Sequence, residues 1–199
     1  MSLYYYEFQW DSKYCYPNSY VLKNKLNIRN NKDLEEAERN ITAHRILQVR
    51  QNPFEEPLDF NYLCKLHKHI FQDIYTWAGK TRDVNIAKGN VFCPAENIKA
   101  MADEIFSKLK KENFLLECKE QEMPRRLSYY LSEINTMHPF REGNGRTQRL
   151  FIEILAERAA YEVDFSKVTQ HEMLEASAEA FMCRYDSMNK LFLNITKKL

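Results

Sequence analysis

The chain has 199 residues and a formal net charge of +1, from 29 basic and 28 acidic side chains. A chain of this length can bury a proper core and is most simply one domain. The near balance of charges argues against a nucleic-acid partner, because proteins that bind nucleic acid normally carry a basic excess.

The sequence predicts a cytoplasmic protein with no membrane partner. It has no apolar run of the roughly 18 residues that a transmembrane helix needs. The N-terminal stretch Met1–Trp10 lacks the basic and apolar regions of a signal peptide. The 5 cysteines are scattered without Cys-x-x-Cys spacing, which favours free thiols in a reducing compartment.

The first part of the chain is predicted to contain an irregular, aromatic-rich arm over residues 1–18, a short helix from Ser19 to Leu26, and a long helix. The long helix is expected to begin near Asn30 and to end near Gln51. Its apolar positions recur mostly at spacings of three and four. These positions are Leu34, Ala37, Ile41, Ala43, Ile46, Leu47 and Val49.

A further helix is expected from the cap Asp59 to about Trp77, with Gly79 ending it as a C′ glycine. Its predicted inward face consists of Leu63, Leu66, His67, Ile70, Phe71 and Ile74. His67 and His69 are poorly placed to chelate a metal, because residues two apart on a helix point about 200° apart. We therefore expect them to have structural or surface roles.

The segment Val84–Cys93 is the one stretch with a convincing extended pattern. Two short β-prone runs flank Lys88-Gly89-Asn90, a group of residues typical of turns. Considered alone, this pattern predicts an ordinary surface hairpin.

The second half of the chain is predicted to be helical. Helices are expected over Pro94–Glu112, from about Pro124 to His138, and from about Gly145 to Ala160. Two more are expected near 168–183 and 186–198. The sequence therefore predicts an all-α protein with one small hairpin.

The stretch His138–Arg149 joins two of these helices and contains the parts of a nucleotide phosphate site. Histidine is a base near neutral pH, and Glu142 is a hard oxygen ligand of the kind that Mg²⁺ prefers. Gly143 and Gly145 flank Asn144, so we expect positive φ there and N–H groups that face an anion at the start of the next helix.

Two arginines, Arg146 and Arg149, follow three residues apart and so lie on one helical face. Taken singly, a histidine before proline is typical of a helix end. Gly-Asn-Gly is typical of a turn, and Arg-x-x-Arg of a solvated helix face. Together, at this spacing, they favour a phosphotransfer site.

This stretch resembles the motif of the Fic family, His-x-Phe-x-(Asp or Glu)-Gly-Asn-Gly-Arg-x-x-Arg. It matches at every specified position, namely His138, Phe140, Glu142, Gly143, Asn144, Gly145, Arg146 and Arg149. Ile74–Gly79, followed by Arg82, is similar to the family's Trp-Ala-Gly segment, which leads into a flap. Family-like signals run from about Leu58 to Ala160.

The resemblance implies a Fic-type helical bundle with a small β-hairpin flap beside the active site. On this reading, residues 1–57 form an N-terminal arm and helices, 58–160 the Fic core with flap and motif, and 161–199 the C-terminal helices. The flap would hold an extended segment of a target protein by strand addition. Its residues are Ile86, Ala87, Lys88, Gly89, Asn90, Val91 and Phe92.

Fic proteins are mostly adenylyltransferases, which move AMP from ATP to a Tyr, Thr or Ser hydroxyl of a target protein. By resemblance, His138 would be the base and Glu142 the Mg²⁺ ligand. The backbone N–H groups around Asn144 and Gly145 would form the anion hole, and Arg146 and Arg149 would hold the β- and γ-phosphates. Phe140 is expected to face the core. Doc-type relatives have Lys at the position of Gly145 and transfer the γ-phosphate, so the glycine resembles the AMP-transferring branch.

Many Fic proteins are inhibited by a helix with the pattern (Ser or Thr)-x-x-x-Glu-(Gly or Asn), and no Ser or Thr in this chain has Glu four residues later. A separate small antitoxin supplying the helix, or another form of control, is therefore expected. The short architecture resembles a bacterial toxin branch whose targets include DNA topoisomerase subunits. Two alternatives stay open: another donor, such as UTP, GTP or a phosphocholine nucleotide, and a catalytically decayed nucleotide-binding module.

Overall fold

The structure is a computed structural model that describes residues 11–88 and 90–199. In these residues, seven α-helices form the body of the protein. The predicted all-α class is confirmed. The predicted N-terminal arm lies largely outside the described residues. The helices are α1 (Asn31–Gln51), α2 (Phe60–Phe71), α3 (Ile98–Lys111), α4 (Met123–Met137), α5 (Asn144–Arg158), α6 (Gln170–Phe181) and α7 (Asp186–Ile195).

Side-chain caps fix where several helices begin. The side chain of Asn30 accepts hydrogen bonds from the first turn of α1, and that of Asp59 accepts one from the Tyr62 N–H at 2.9 Å. Thr169 and Glu172 form a reciprocal capping box at α6. Each such cap contributes about 0.5–2 kcal/mol to helix stability.

The core is organised around α4 and α5, the two helices that the motif joins. Helix α4 contacts α3, α5, α6 and α7, and α5 also contacts α2. Fully buried side chains on the two helices include Leu127, Tyr130, Ile134, Met137, Phe151 and Leu155. Burying one such side chain contributes about 1.5–3 kcal/mol, so these helices form a rigid support. None of the described helices is long and apolar enough to cross a membrane.

Among the described residues, four short strands form two antiparallel pairs. Strand β1 (Ala87–Lys88) pairs with β2 (Asn90–Val91), which is the predicted hairpin. Strand β3 (Tyr161–Val163) pairs with β4 (Thr196–Lys198). The helix expected over 186–198 is present but ends at Ile195, and the expectation of a single extended segment was wrong. Strands of three residues are too short for periodicity to reveal them.

The helix predicted from Asp59 to Trp77 ends earlier, at Phe71. The chain then turns, with the N–H groups of Ile74 and Tyr75 donating to the Phe71 carbonyl. Gly79 therefore ends no helix, although its φ is +81°. A Cβ there would lie 2.7 Å from the Cβ of Lys68, so close contact with α2 explains the glycine.

The short helix predicted from Ser19 to Leu26 was also wrong. This segment consists of turns with one isolated β-bridge, between Cys15 and Leu22. The side chain of Asn24 bonds the backbone of Leu22 and Ile28, with distances of 2.8–2.9 Å. Asparagine side chains compete in this way with helical backbone bonds.

The apolar positions listed for α1 do not coincide with the residues that the helix buries. Leu47 is 51% exposed, whereas the polar Glu38 and Thr42 are buried. Both of these face α5, where Arg146 provides a polar partner. Long-range pairing, rather than hydrophobicity, decides this face of the helix.

Candidate active site

The central element of the site is the loop from His138 to Gly143, which joins α4 to α5. His138 ends α4 in the left-handed conformation, with φ 45° and ψ 61°, and its N–H donates to the Ile134 carbonyl at 3.0 Å. Positive φ is uncommon outside glycine and persists where neighbouring structure determines it. The two buried helices supply that structure.

The ring of His138 is oriented by two neighbours. Its Nδ1 lies 3.2 Å from the carbonyl oxygen of Asn135. A carbonyl oxygen only accepts, so Nδ1 carries the proton and the lone pair is on Nε2. The ring of Phe92 stacks on the imidazole with centroids 3.8 Å apart and 16° between the planes. The neutral histidine can therefore accept a proton at Nε2.

Asn144 ties the middle of the loop to the start of α5 through its side chain. Its Oδ1 accepts from the Phe140 N–H at 2.9 Å, and its Nδ2 donates to the Phe140 carbonyl at 2.7 Å. Phe140 is fully buried, as expected. The side chain of Asn144 is thus committed to the loop, which leaves its backbone N–H for an anion.

The two motif glycines have different roles. Gly143 has φ +81°, and a Cβ there would lie 2.2 Å from Cζ of Phe71. Gly145 lies inside α5 without positive φ, so the expectation of a special conformation there was wrong. A Cβ at Gly145 would instead meet Nη1 of Arg149 at 3.2 Å. The second glycine makes room for a side chain rather than for a turn.

The N-terminus of α5 is open to an anion. The first N–H groups of a helix lack acceptors within the helix, and they carry its partial positive charge. No side chain caps α5 at Gly143. The N–H groups at Asn144 and Gly145 are therefore arranged as the predicted anion hole requires.

Glu142 precedes these N–H groups and is the predicted metal ligand. Its Oε1 accepts from the Gly143 N–H at 2.8 Å, and its side chain is 31% exposed. No cluster of three or more metal-ligating side chains occurs in 11–88 or 90–199. A single accessible carboxylate beside a phosphate site fits Mg²⁺, which is commonly held by one or two carboxylates together with substrate phosphates.

His67 contacts the loop directly, and the sequence indicated a structural or surface role for it but not this contact. Its Nδ1 accepts from the Gly79 N–H at 2.8 Å, so Nε2 carries the proton and donates to the Glu142 carbonyl at 2.9 Å. Its ring stacks on Phe140 with centroids 3.9 Å apart. Burial, aided by the charge of Arg146, lowers the pKa of His67 to about 3. The expected structural role of this histidine is borne out in its contacts.

Arg149 places its guanidinium next to Gly145, where an added Cβ would lie 3.2 Å from Nη1. Among the described residues it forms no hydrogen bond and no close ion pair. Burial lowers its pKa, the neighbouring positive charge of Arg146 lowers it further, and the more distant carboxylate of Glu153 opposes the shift. An arginine that is partly desolvated and unpaired next to an open helix N-terminus is suited to bind phosphate.

Arg146 has a different environment from Arg149. Its guanidinium forms an ion pair with the buried carboxylate of Glu38, and its Nη1 donates to Oγ1 of Thr42 at 3.2 Å. A second carboxylate, that of Glu142, lies 3.8 Å away. Burial alone would lower the pKa of Arg146, but these carboxylates outweigh burial and raise it.

The hairpin lies beside His138, with the ring of Phe92 against the imidazole. Val91 is 58% exposed, while Ile86 and Phe92 are buried. The Phe92 N–H donates to the Ile86 carbonyl at 3.2 Å. Ala87 lies opposite Val91, one position further along the two strands. Hydrogen-bonded and non-hydrogen-bonded pairs alternate in an antiparallel ladder, so the N–H and C=O groups of Ala87 and Val91 point outward from the hairpin. Gly89 lies outside the described residues.

Arg82 connects the hairpin to the catalytic loop, and sequence reasoning gave it no role. Its guanidinium is buried and donates to four backbone carbonyls. Two of them, those of Met137 and His138, end α4, and the other two, those of Val84 and Cys93, flank the hairpin. One side chain therefore sets both the position of the hairpin and that of the loop.

Comparison with known proteins gives a consistent result. The family model described as the Fic/DOC family matches residues 57–156. The chain is 40% identical over 169 residues to a probable protein adenylyltransferase, y4lH, of Sinorhizobium fredii, which covers 84% of this chain and 86% of that protein.

Solved structures resemble the whole described fold. One is the N-terminal Fic domain of a cell filamentation protein from Bartonella quintana with bound ADP, at TM-score 0.87 and 32% identity, covering 94% of this chain and 95% of that chain. Another is the BepC protein from Bartonella tribocorum with bound AMPPNP, at TM-score 0.88 and 29% identity, covering 94% of this chain and 97% of that one. Both contain an adenine nucleotide with phosphates.

Proposed function

This chain belongs to the Fic/DOC family, and on that premise we propose that it is a protein adenylyltransferase, which transfers AMP from ATP to a hydroxyl side chain of a target protein. The observation that carries the proposal is the position of His138 beside the uncapped N-terminus of α5. A base and an anion site occupy the two ends of one short loop. The adenine nucleotides bound to the two Bartonella structures support ATP as the substrate.

In the proposed reaction, the target hydroxyl attacks the α-phosphorus of ATP. Nε2 of His138 takes the hydroxyl proton as the new O–P bond forms. The bond between the α-phosphorus and the bridging oxygen breaks, and pyrophosphate leaves with the electron pair. The contact of Nδ1 with the Asn135 carbonyl stabilises the tautomer that this step needs. A positioned base of this kind contributes about 10²–10⁴ in rate.

The N–H groups at Asn144 and Gly145 would bind the phosphate oxygens where negative charge develops, and Arg149 would bind the outer phosphates. Such preorganised donors are commonly the largest electrostatic contribution to catalysis. Arg146, held in its ion pair with Glu38, would add positive charge near the same phosphates.

We propose Glu142 as the ligand for Mg²⁺, held jointly with the substrate phosphates. When bound, the ion neutralises charge on those phosphates. The hydrogen bond from the Gly143 N–H orients the carboxylate without covering it, since the side chain stays partly exposed.

The hairpin would bind the target by strand addition, with a Tyr, Thr or Ser hydroxyl presented to His138. The edge that carries Val91 supports this, because the outward backbone groups of that residue can pair with an extended segment. Backbone pairing tolerates sequence variation, so more than one target segment can fit. A cytoplasmic location and a separate antitoxin remain predictions.

The test is an incubation of the purified protein with Mg²⁺, a bacterial lysate and ATP labelled at either the α- or the γ-phosphorus. We expect labelled protein bands with the α-label and none with the γ-label. Bands with the γ-label would contradict AMP transfer. Bands that appear only with α-labelled UTP or GTP would favour another donor, and nucleotide binding without any transfer would favour a decayed module.

A further inference from the structure

The polar face of α1 reaches the active site at two buried residues, Glu38 and Thr42, which are 7% and 2% exposed. Charged side chains are rarely buried without a specific partner. Glu38 has two partners: its Oε2 accepts from Nη2 of Arg146, and its Oε1 accepts from the hydroxyl of Tyr75. Burial raises the pKa of Glu38, and these two donors oppose that shift.

The guanidinium of Arg146 is held on three sides. Its Nη2 donates to the carboxylate of Glu38, and its Nη1 donates to the hydroxyl of Thr42 at 3.2 Å. The ring of Phe71 lies beneath it, 4.7 Å from the guanidinium carbon. Thr42 is itself oriented, because its hydroxyl donates to the backbone carbonyl of Glu38 at 2.6 Å.

A competing carboxylate lies close by. Nη2 of Arg146 is 3.8 Å from Oε1 of Glu142, which is beyond hydrogen-bond distance. Without the charge of Glu38, Glu142 would be the nearest remaining carboxylate, and opposite charges at this separation attract strongly in a partly buried site. An Arg146 that moved toward Glu142 would occupy the carboxylate that the metal needs.

We propose that Glu38 is a positioning residue that keeps Arg146 away from Glu142, so that Glu142 stays available to a divalent cation. The inference rests on the proposed function, in which Glu142 binds the metal together with the nucleotide. It assigns unequal roles to the two motif arginines, because Glu38 holds Arg146 in place while Arg149 binds phosphate. The helix α1, although remote in sequence, thereby sets the metal affinity of the site.

The experiment is a titration of the nucleotide-bound protein with Mn²⁺, followed by the electron paramagnetic resonance of free Mn²⁺, so that it does not depend on any transfer reaction. Removing an outer partner of a metal ligand typically lowers metal affinity about 10- to 100-fold. Glu38 acts on Glu142 through Arg146 rather than by a direct bond, so we expect Glu38→Gln to raise the Mn²⁺ dissociation constant by about 10-fold, the lower end of that range. Glu38→Asp should restore part of the affinity.

Arg146→Gln distinguishes positioning from general damage. If Glu38 acts through Arg146, the change Glu38→Gln should have no further effect on Mn²⁺ affinity in the Arg146→Gln background. Arg50→Gln is the matched control, because it removes another α1–α5 ion pair, that of Arg50 with Glu153 at 2.8 Å. It should leave Mn²⁺ affinity unchanged.

An unchanged Mn²⁺ affinity in Glu38→Gln, or the same loss in both Arg146 backgrounds, would overturn the proposal. If Glu38→Gln fails to fold, Tyr75→Phe removes one hydrogen bond to Glu38 and keeps the ring, and it should weaken Mn²⁺ binding in the same direction. A folded Tyr75→Phe variant with wild-type affinity would then overturn it. If the wild-type protein binds Mn²⁺ as expected but transfers no AMP, that result contradicts the proposed function and not the role of Glu38 in metal binding.

Discussion

The catalytic loop and the hairpin lie side by side but are held in very different ways. The loop 138–143 is held at three places: by Asn144 at the backbone of Phe140, by His67 at the Glu142 carbonyl, and by the two buried helices at its ends. The hairpin has strands of two residues each and keeps Val91 exposed. It is attached near its base through Arg82, through a bond from the Cys93 N–H to the Thr136 carbonyl at 3.2 Å, and through the ring of Phe92 on His138.

This difference indicates a division of labour. Chemistry requires atoms held in place to a fraction of an ångström, which buried and reciprocally bonded groups provide. Recognition of varied protein segments requires open backbone groups, which a short exposed strand provides. We therefore predict that changes in the loop lower kcat for AMP transfer, whereas changes at the hairpin tip raise the KM for the target protein.

His138→Ala should have the largest effect on activity. Removing the base should lower the rate of AMP transfer by about 10²–10⁴-fold, because a positioned general base contributes a factor of that size. Transfer of the α-label to the target at saturating ATP measures this rate. His171→Ala is the control, since that side chain is 79% exposed and remote in sequence from the loop. Transfer above about 1% of wild type would contradict the base assignment.

Gly143→Ala should have the largest effect on stability. The new Cβ would need positive φ and would collide with the ring of Phe71, so we expect a loss of about 2–5 kcal/mol in the free energy of unfolding. Urea unfolding followed by circular dichroism measures it. Gly145→Ala is the matched control, since helical φ there should make alanine neutral or stabilising for the fold. Equal destabilisation by the two changes would contradict the distinct roles of the glycines.

Arg82→Met should damage both regions together. It leaves buried carbonyls without donors at the end of α4 and at the hairpin base, at a cost of about 2–4 kcal/mol. We expect a lower kcat for transfer and also a higher KM for the target protein. Arg82→Lys should rescue little, because one ammonium group cannot serve four carbonyls in the geometry of a guanidinium. A change in kcat alone would show that Arg82 supports only the loop.

Acid should weaken the loop through His67. Burial lowers the pKa of folded His67 to about 3, below the value of about 6.5 for an unfolded histidine. Between these values the unfolded chain binds a proton that the folded chain does not, so stability falls as pH falls from 6.5 toward 3. The slope is at most about 1.4 kcal/mol per pH unit. His67→Gln should be less stable near pH 7 and should show a flatter decline on acidification. Identical slopes for His67→Gln and wild type would refute this contribution.

The loop could be predicted from the sequence because its parts are local. A base, a carboxylate, glycines and arginines within twelve residues indicate a phosphate site, and the helices around them have regular apolar spacing. The four supporting side chains could not be predicted, because each belongs to another stretch of chain and acts by a long-range contact. They are Glu38, His67, Tyr75 and Arg82.

Periodicity even argued against one of them, since Glu38 on a helix is usually solvated. Its burial depends on Arg146, more than a hundred positions later in the chain. Gly145 shows the converse error: turn chemistry suggested positive φ, yet the residue is helical and its small size serves Arg149. In both cases the sequence did not reveal which side chain the residue contacts in the folded protein: Arg146 for Glu38 and Arg149 for Gly145.

The most direct test of the division of labour compares His138→Ala with Val91→Pro. The proline removes the outward N–H of the hairpin edge without removing the Phe92–Ile86 bond. Binding of ATP with Mg²⁺ is measured by calorimetry, and transfer of the α-label is measured over a range of target concentrations.

The account predicts that both variants bind ATP like the wild type. Val91→Pro should recover most of its rate when the target concentration is raised, whereas His138→Ala should not recover at any concentration. Recovery of His138→Ala at high target concentration, or loss of ATP binding by Val91→Pro, would contradict the account.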